Sequence, residues 1–223
     1  MNNLVDTFFN LAVMRQYLPQ VVQGMGVTVL LALVVVATGL LLGFVLAVLR
    51  SLRIKPLNLL IVFFADVFRA VPALVILIIL YFALPTVGIR MSGFVCAWLG
   101  LSLVLAAFAE EIVWAGILSV PRGQWEAARA TGLGVGQCMR LVVLPQALRL
   151  TVAPLTNRAI VITKNTALAS VLAVGEILYQ AQAGYAFSYN PSPLTLGAIA
   201  YLILFIPLVW LGRWVEGRFA WKR

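Results

Sequence analysis

Histidine is absent from all 223 residues, and cysteine occurs only at Cys96 and Cys138. The usual general base is therefore missing, and no cluster has the makeup of a metal site, so neither catalytic residues nor a metal site is expected. A phosphate-binding loop is also missing, because Lys55, Lys164 and Lys222 all lack the glycines of G-x-x-x-x-G-K-[ST]. No cofactor is thus assigned to this chain, and if ATP drives it, another chain must bind the nucleotide. Charge is scarce at 10% of residues, and acids are scarcer still, with 7 Asp and Glu against 16 Lys and Arg.

In their place stand long apolar runs. The chain is 63% hydrophobic with a mean hydropathy of +1.06, which excludes a soluble domain and indicates a helical protein of several membrane spans. A helix crosses hydrocarbon with about 20 apolar residues, because lipid cannot satisfy exposed backbone groups. Five spans are predicted, at Val21 to Leu49, Leu57 to Leu84, Phe94 to Val120, Val152 to Val174 and Leu194 to Trp210. Gly39 and Gly43 in the first form a GxxxG, a weak sign of close helix packing.

Basic residues set the direction. Arg50, Arg53 and Lys55 follow the first span, Arg122, Arg129, Arg140 and Arg149 the third, and Arg213, Arg218, Lys222 and Arg223 the fifth, against Arg15 and Arg90 on the other face. The positive-inside rule then places the N-terminus outside and the C-terminus in the cytoplasm. Orientation and anionic headgroups account for the net charge of +9 without nucleic acid. Residues 1–20 read as an external, interfacial segment whose short helix ends at Pro19, residues 21–215 as the membrane domain, and residues 216–223 as a basic cytoplasmic tail. The N-terminal stretch lacks the basic start and small-residue site of a cleaved signal peptide. On this topology Cys96 lies at the outer end of the third span and Cys138 in the cytoplasmic segment, too far apart for a disulfide.

Asp66, Arg69, Glu110, Glu111, Arg158, Lys164 and Glu176 fall within or at the ends of these spans, where a charge facing lipid costs about 2.5 to 3.5 kcal/mol. Each must pair, meet a partner subunit or line a wet route. Asp66 and Arg69, three apart on one helical face, suit either an internal ion pair or a site, and Pro72 breaks the backbone ladder just beyond. Lys164, Asn165 and Thr166 form a polar triplet in the fourth span. A site for an amino acid needs donors for a carboxylate, such as Lys164 or Arg69, and acceptors for an ammonium group, such as Asp66, Asn165 or Glu176. For Glu110 and Glu111 two roles stay open, a scaffold contact through Arg129 or a neighbouring loop, and substrate contact.

Residues 120–149 are a polar island rich in small residues. A helix is predicted near Gln124 to Ala130, with Gly132 where a left-handed C-terminal cap belongs. With Trp125 its only large apolar group, this helix is unsuited to lying in headgroups and suited to entering a narrow cleft on another protein. Glu126-Ala127-Ala128, Gly132, Val142 and Leu144-Pro145 resemble the coupling loop of ABC importer permeases, with Val for the commoner Ile. Phe68-Arg69-Ala70-Val71-Pro72-Ala73-Leu74, Tyr81-Phe82-Ala83-Leu84-Pro85, Ala109 to Ile117, Pro121 to Ala128, Leu144 to Arg149 and Lys164-Asn165-Thr166-Ala167-Leu168 are similar to the subfamily that imports polar amino acids. The similarity covers about residues 20 to 215.

The resemblance implies an all-α membrane protein of the type I ABC importer permease kind, with about five transmembrane helices and a cytoplasmic coupling helix between spans 3 and 4. It implies a bacterial inner membrane location, a pair of ABC ATPase subunits that bind ATP and Mg, a second permease, identical or paralogous, an external solute-binding protein and an amino acid substrate. Glu126, Ala127, Ala128, Arg129 and Gly132 are then the ATPase-coupling residues, and Asp66, Arg69, Lys164, Asn165, Thr166 and Glu176 the candidates for the substrate route. Two departures stand out. Trp114 replaces the family's Arg, so any pairing of that Arg with Glu111 is missing or rebuilt, and Asn165 replaces a common Asp, which leans against a strictly arginine- or lysine-specific carrier. The different class to be weighed is an ion-coupled secondary transporter or a channel subunit without an ATPase, but the internal repeats usual in such transporters are not evident here.

Overall fold

The computed structural model describes residues 2–219, and within them every regular element is helical. The chain runs through α1 (Asn2–Phe8), α2 (Leu11–Arg50), α3 (Lys55–Ala70), α4 (Ala73–Ile78), α5 (Gly93–Ser119), α6 (Arg122–Ala130), α7 (Val135–Cys138), α8 (Leu144–Lys164), α9 (Ile177–Ser188) and α10 (Ser192–Phe219). Among the described residues four helices are long and apolar enough to cross a membrane, and the broken pair formed by α3 and the helical stretch from α4 to Val87 makes up to five spans. The all-α fold with about five spans is as expected.

Several boundaries differ from expectation for identifiable reasons. Pro19 does not end a helix; it lies inside α2, and the break falls earlier, at Asn10, whose Oδ1 accepts from the backbone N–H of Ala12 at 3.1 Å and of Val13 at 3.2 Å. An Asn side chain that satisfies first-turn donors starts the helix here, and the proline two turns further in does not stop it. The second span is not one helix, since Val71 and Pro72 separate α3 from α4. The fourth helical segment begins at Val135, so the latter half of the predicted loop is helical. Its counterpart at the other end is α10, which carries helix to Phe219 through the start of the predicted tail. Lys222 and Arg223 lie outside the described residues. A further helix, α9, was not expected at all.

Two turns of helix widen to the π form, Ile79–Ala83 and Met139–Val143, and each directly precedes a Leu-Pro pair, Leu84-Pro85 and Leu144-Pro145. The amide N–H of each leucine reaches back five residues, to the carbonyl of Ile79 and of Met139 respectively. A proline lacks the N–H for the turn before it and its ring crowds the carbonyl four residues back, and a widened turn relieves both conflicts.

The chain divides into two compact units. The first takes the described residues up to Val36 with Pro72–Leu101 and Val161–Trp210; the second takes Ala37–Val71, Ser102–Ile160 and the residues from Leu211 on. Within the first, Val21 of α2, Ile177 of α9 and Ala200 of α10 form a small core flanked by Met25, Leu196, Tyr201 and Leu204. Within the second, Ala47, Val113, Ile117, Val120, Ala128, Cys138, Val143 and Ala147 pack as one cluster, with Phe44, Trp114 and Trp125 against it. The GxxxG is used here. A Cβ on Gly39 would lie 2.8 Å from the side chain of Leu105, and one on Gly43 would lie 2.5 Å from Ala109 Cβ, so α2 approaches α5 at a separation only glycine permits.

Candidate functional site

Within the second unit, α6 stands on its own platform. Ala128 is buried and Trp125 half-buried, three apart on one face, and both pack on the core built from α5, α7 and α8. Cys138 lies beneath them, fully buried, its Sγ 3.9 Å from the Trp125 carbonyl oxygen. Gln146 of α8 adds a polar tie by donating from Nε2 to Gln124 Oε1 at 3.3 Å. The rest of α6 is exposed: Glu126, Ala127 and Ala130 face away from the platform, and Arg122, Gln124 and Arg129 flank it. Of the five residues assigned to coupling, Ala128 therefore seats the helix and does not face outward. The other four are presented to the surroundings.

The end of α6 follows the expectation. Gly132 has φ 88, left-handed, and its amide N–H donates to the Arg129 carbonyl at 3.0 Å. The Thr131 hydroxyl donates to Ala128 O at 2.8 Å, and Arg129 Nη1 donates to Leu133 O at 3.1 Å. Carbonyls that a short helix leaves without partners are thus satisfied locally, and Arg129 is drawn to this turn rather than to Glu110 or Glu111.

Those two acids have other partners. Glu110 is fully buried on α5 and receives Arg50 Nη1 at 3.0 Å on Oε1 and 3.3 Å on Oε2. The same Nη1 lies 3.6 Å from Glu111 Oε2, which also accepts from Arg69 Nη1 at 3.2 Å. Arg50 lies over the Trp114 ring at 4.8 Å, so the tryptophan packs on the arginine from the end of α2 that meets both carboxylates. Arg50 is accordingly the partner of a buried carboxylate besides being part of the positive-inside count. Arg69 turns to Glu111 and not to Asp66, which is exposed and makes no ion pair among the described residues. Its guanidinium lies 5.6 Å from the Phe108 ring centroid, and Arg158 of α8 lies over the same ring at 3.1 Å.

The first unit holds the other candidates. At Lys164 the α-helix gives way to a 3-10 helix, Asn165–Leu172, so the polar triplet sits at a change of helix type and not mid-helix. Lys164 is exposed and Asn165 half-buried, and neither side chain makes a hydrogen bond to protein among the described residues. Thr166 is fully buried, with its hydroxyl committed to Thr163 O at 2.7 Å.

Glu176 is also fully buried, and it caps α9. Its Oε1 accepts from Tyr179 N–H at 2.7 Å and its Oε2 from the Tyr201 hydroxyl at 2.5 Å. The Tyr201 oxygen accepts in turn from Leu178 N–H at 3.2 Å, and Thr28 Oγ1 accepts from Ile177 N–H at 3.3 Å. Three successive first-turn donors of α9 are thereby satisfied by three side chains from three segments. Gly24 makes room for this: a Cβ there would lie 3.0 Å from the backbone of Glu176 and Ile177. The oxygens of Thr166 and Glu176 are therefore committed within the protein, to backbone groups and to the Tyr201 hydroxyl. Glutamate is not a preferred N-cap residue, which is why α9 and this role escape a reading of the sequence alone.

Comparison with known proteins places this geometry. The chain is 33% identical over 201 residues to the arginine transport system permease protein ArtQ of Bacillus subtilis, covering 89% of this chain and 92% of that one. It is 35% identical over 206 residues to the probable amino-acid ABC transporter permease protein YckA of the same organism, covering 92% and 91%. The solved structure of an amino acid ABC transporter with histidines superposes with a TM-score of 0.84 at 30% identity, covering 92% of this chain and 96% of that chain. The fold is that of a type I ABC importer permease. Residues 39–221 match the family described as the binding-protein-dependent transport system inner membrane component, and the chain belongs to that family.

Proposed function

We propose that this chain is the permease subunit through which a bacterial ABC importer carries polar amino acids or closely related small zwitterions into the cytoplasm. The observation that carries the reading is the presented face of α6: a nine-residue helix with Glu126 and Ala127 outward, anchored by Trp125 and Ala128 and closed by left-handed Gly132. A rigid, small-residue helix on a packed platform transmits a push where a mobile loop would absorb it. The partner that pushes is an ABC ATPase pair that binds ATP and Mg, working on two permeases, identical or paralogous, and an external binding protein delivers the solute.

The N-terminus lies outside and the C-terminus in the cytoplasm, on the side of α6, as the excess of arginine around α6 and about the C-terminal ends of α2 and α10 supports. Candidates for the solute route are the exposed Asp66 and Arg69 in the second unit and Lys164 and Asn165 in the first, of which Asp66, Lys164 and Asn165 make no side-chain hydrogen bond or ion pair among the described residues. Thr166 and Glu176 shape that route through the backbone they hold.

Co-expression with the ATPase tests the reading. Wild-type chain retains the ATPase through purification, whereas Glu126→Lys or Gly132→Asp inserts normally but loses the ATPase or its solute-stimulated activity, since a charge at Gly132 removes the left-handed cap and blocks close approach. Stimulated transport at the parent rate in both variants would sink the assignment.

A further inference from the structure

Arg158 is a half-buried cation of the second unit that finds no anionic partner among the described residues. Its guanidinium carbon lies 3.1 Å from the centroid of the Phe108 ring, so the ring covers one flat side. Its Nε is buried without a hydrogen-bond partner, and among the described residues Arg158 forms no ion pair. Arg69 shares the same ring, at 5.6 Å, and brings more positive charge beside it.

The connected group consists of Arg50, Arg69 and Arg158 around Glu110 and Glu111, three cations against two anions. Arg50 and Arg69 hold both carboxylates. Asp66, one turn before Arg69 on α3, is exposed and reaches none of the three guanidiniums. One positive charge therefore remains, pre-oriented on an aromatic ring with donors free. Planar guanidinium matches planar carboxylate, and a ring behind it holds the fork in place without competing for its N–H groups.

We propose that Arg158 receives a carboxylate of the transported solute, and that the importer consequently favours amino acids with an acidic side chain over cationic ones. This rests on the amino acid import reading above. A solute that carries net negative charge neutralises the cluster, whereas arginine or lysine would add to its excess.

The test uses the complete transporter, permease with ATPase and binding protein, reconstituted in vesicles of phosphatidylcholine alone and of phosphatidylcholine with phosphatidylglycerol. ATP hydrolysis is measured with glutamate, aspartate, glutamine, arginine and lysine, and assembly is followed by co-purification. Glutamate or aspartate is expected to stimulate most, in both lipids. Arg158→Gln lowers that stimulation at least about tenfold, the scale of a lost charge-assisted bidentate contact, and Arg158→Glu shifts the preference toward arginine and lysine. Should the Gln variant fail to assemble, Arg158→Lys keeps the charge but not the fork, and is expected to raise the KM for glutamate.

Stimulation mainly by arginine or lysine in the wild type would overturn the proposal, as would an unchanged glutamate response in the Gln variant or an unchanged KM in the Lys variant. An effect of Arg158→Gln confined to vesicles with phosphatidylglycerol would assign the guanidinium to a lipid phosphate and likewise overturn it. If no amino acid of any charge stimulates the complex, the import reading itself fails. Stimulation by neutral amino acids without dependence on Arg158 removes only the role of this residue.

Discussion

Glu110 and Glu176 are both fully buried carboxylates, and the structure matches each to its own set of donors. Glu110 depends on a single guanidinium, Arg50, whose side chain is itself only 16% exposed. Removing either member strands the other in a poorly solvated place, a loss of about 3 to 5 kcal/mol, whereas replacing both by apolar groups of similar size is close to neutral. Glu110→Ala is therefore expected to lower the unfolding midpoint of the purified permease sharply, and Arg50→Met combined with Glu110→Met to recover most of the loss. A double variant as unstable as the single one would show that the pair is not the unit that matters. At Glu176 the donors are the Tyr179 N–H and the Tyr201 hydroxyl, so Glu176→Gln keeps the shape and an acceptor while Glu176→Ala exposes the first turn of α9. Hydrogen exchange at the start of α9 is expected to rise in the Ala variant and to change little in the Gln variant.

Elements in this chain are delimited by proline and glycine according to what surrounds them. Pro19, Pro154 and Pro207 lie inside helices, Pro85 and Pro145 follow widened turns, and Pro72 sits in an outright break. Composition alone does not distinguish these outcomes, because neighbouring helices and a π turn can re-satisfy what a proline leaves open. Glycine acts through close approach. Gly43→Leu is expected to separate α2 from α5, since even a Cβ would meet Ala109 Cβ and the Ala106 carbonyl, whereas Gly26→Leu, where a Cβ meets nothing within 4 Å, is expected to be tolerated. Yield of folded protein by size-exclusion chromatography distinguishes them, and equal behaviour of the two would refute close packing at Gly43.

For the whole molecule, the permease is not an enzyme, and in these systems ATP hydrolysis belongs to separate ATPase subunits. Its orientation in the bilayer is open to a direct test, and the buried cysteines simplify it. Cys138, expected from the sequence to label from the cytoplasm, is fully enclosed beneath Trp125, and Cys96 is also buried. The native thiols are thus a quiet background. With Arg129→Cys on the exposed face of α6, a membrane-impermeant maleimide is expected to react in inside-out vesicles and not in intact cells. Reaction in intact cells would reverse the proposed orientation.

Hydropathy and the residue pattern from Gln124 to Gly132 were enough to read the membrane class, about five spans and the short helix α6 with its glycine cap, because each is a local property. Backbone without water must satisfy its own hydrogen bonds, a span needs a certain length of apolar chain, and a glycine just past a short helix readily takes the left-handed cap. Partnership is a different kind of information. That Arg50 rather than Arg129 meets Glu110, that Arg69 turns to Glu111 and not to Asp66 three residues away, and that Glu176 caps a helix with Tyr201 and Thr28 all involve groups distant in sequence. A charge in a membrane announces only that it needs a partner. Which partner it finds is set by the packing of α2, α3, α5 and α8 in the second unit and of α2, α9 and α10 in the first, since a guanidinium and a carboxylate exchange hydrogen bonds only where helix contacts bring them within about 3 Å. Tertiary structure alone decided which charges are locked and which, like Arg158, are left open.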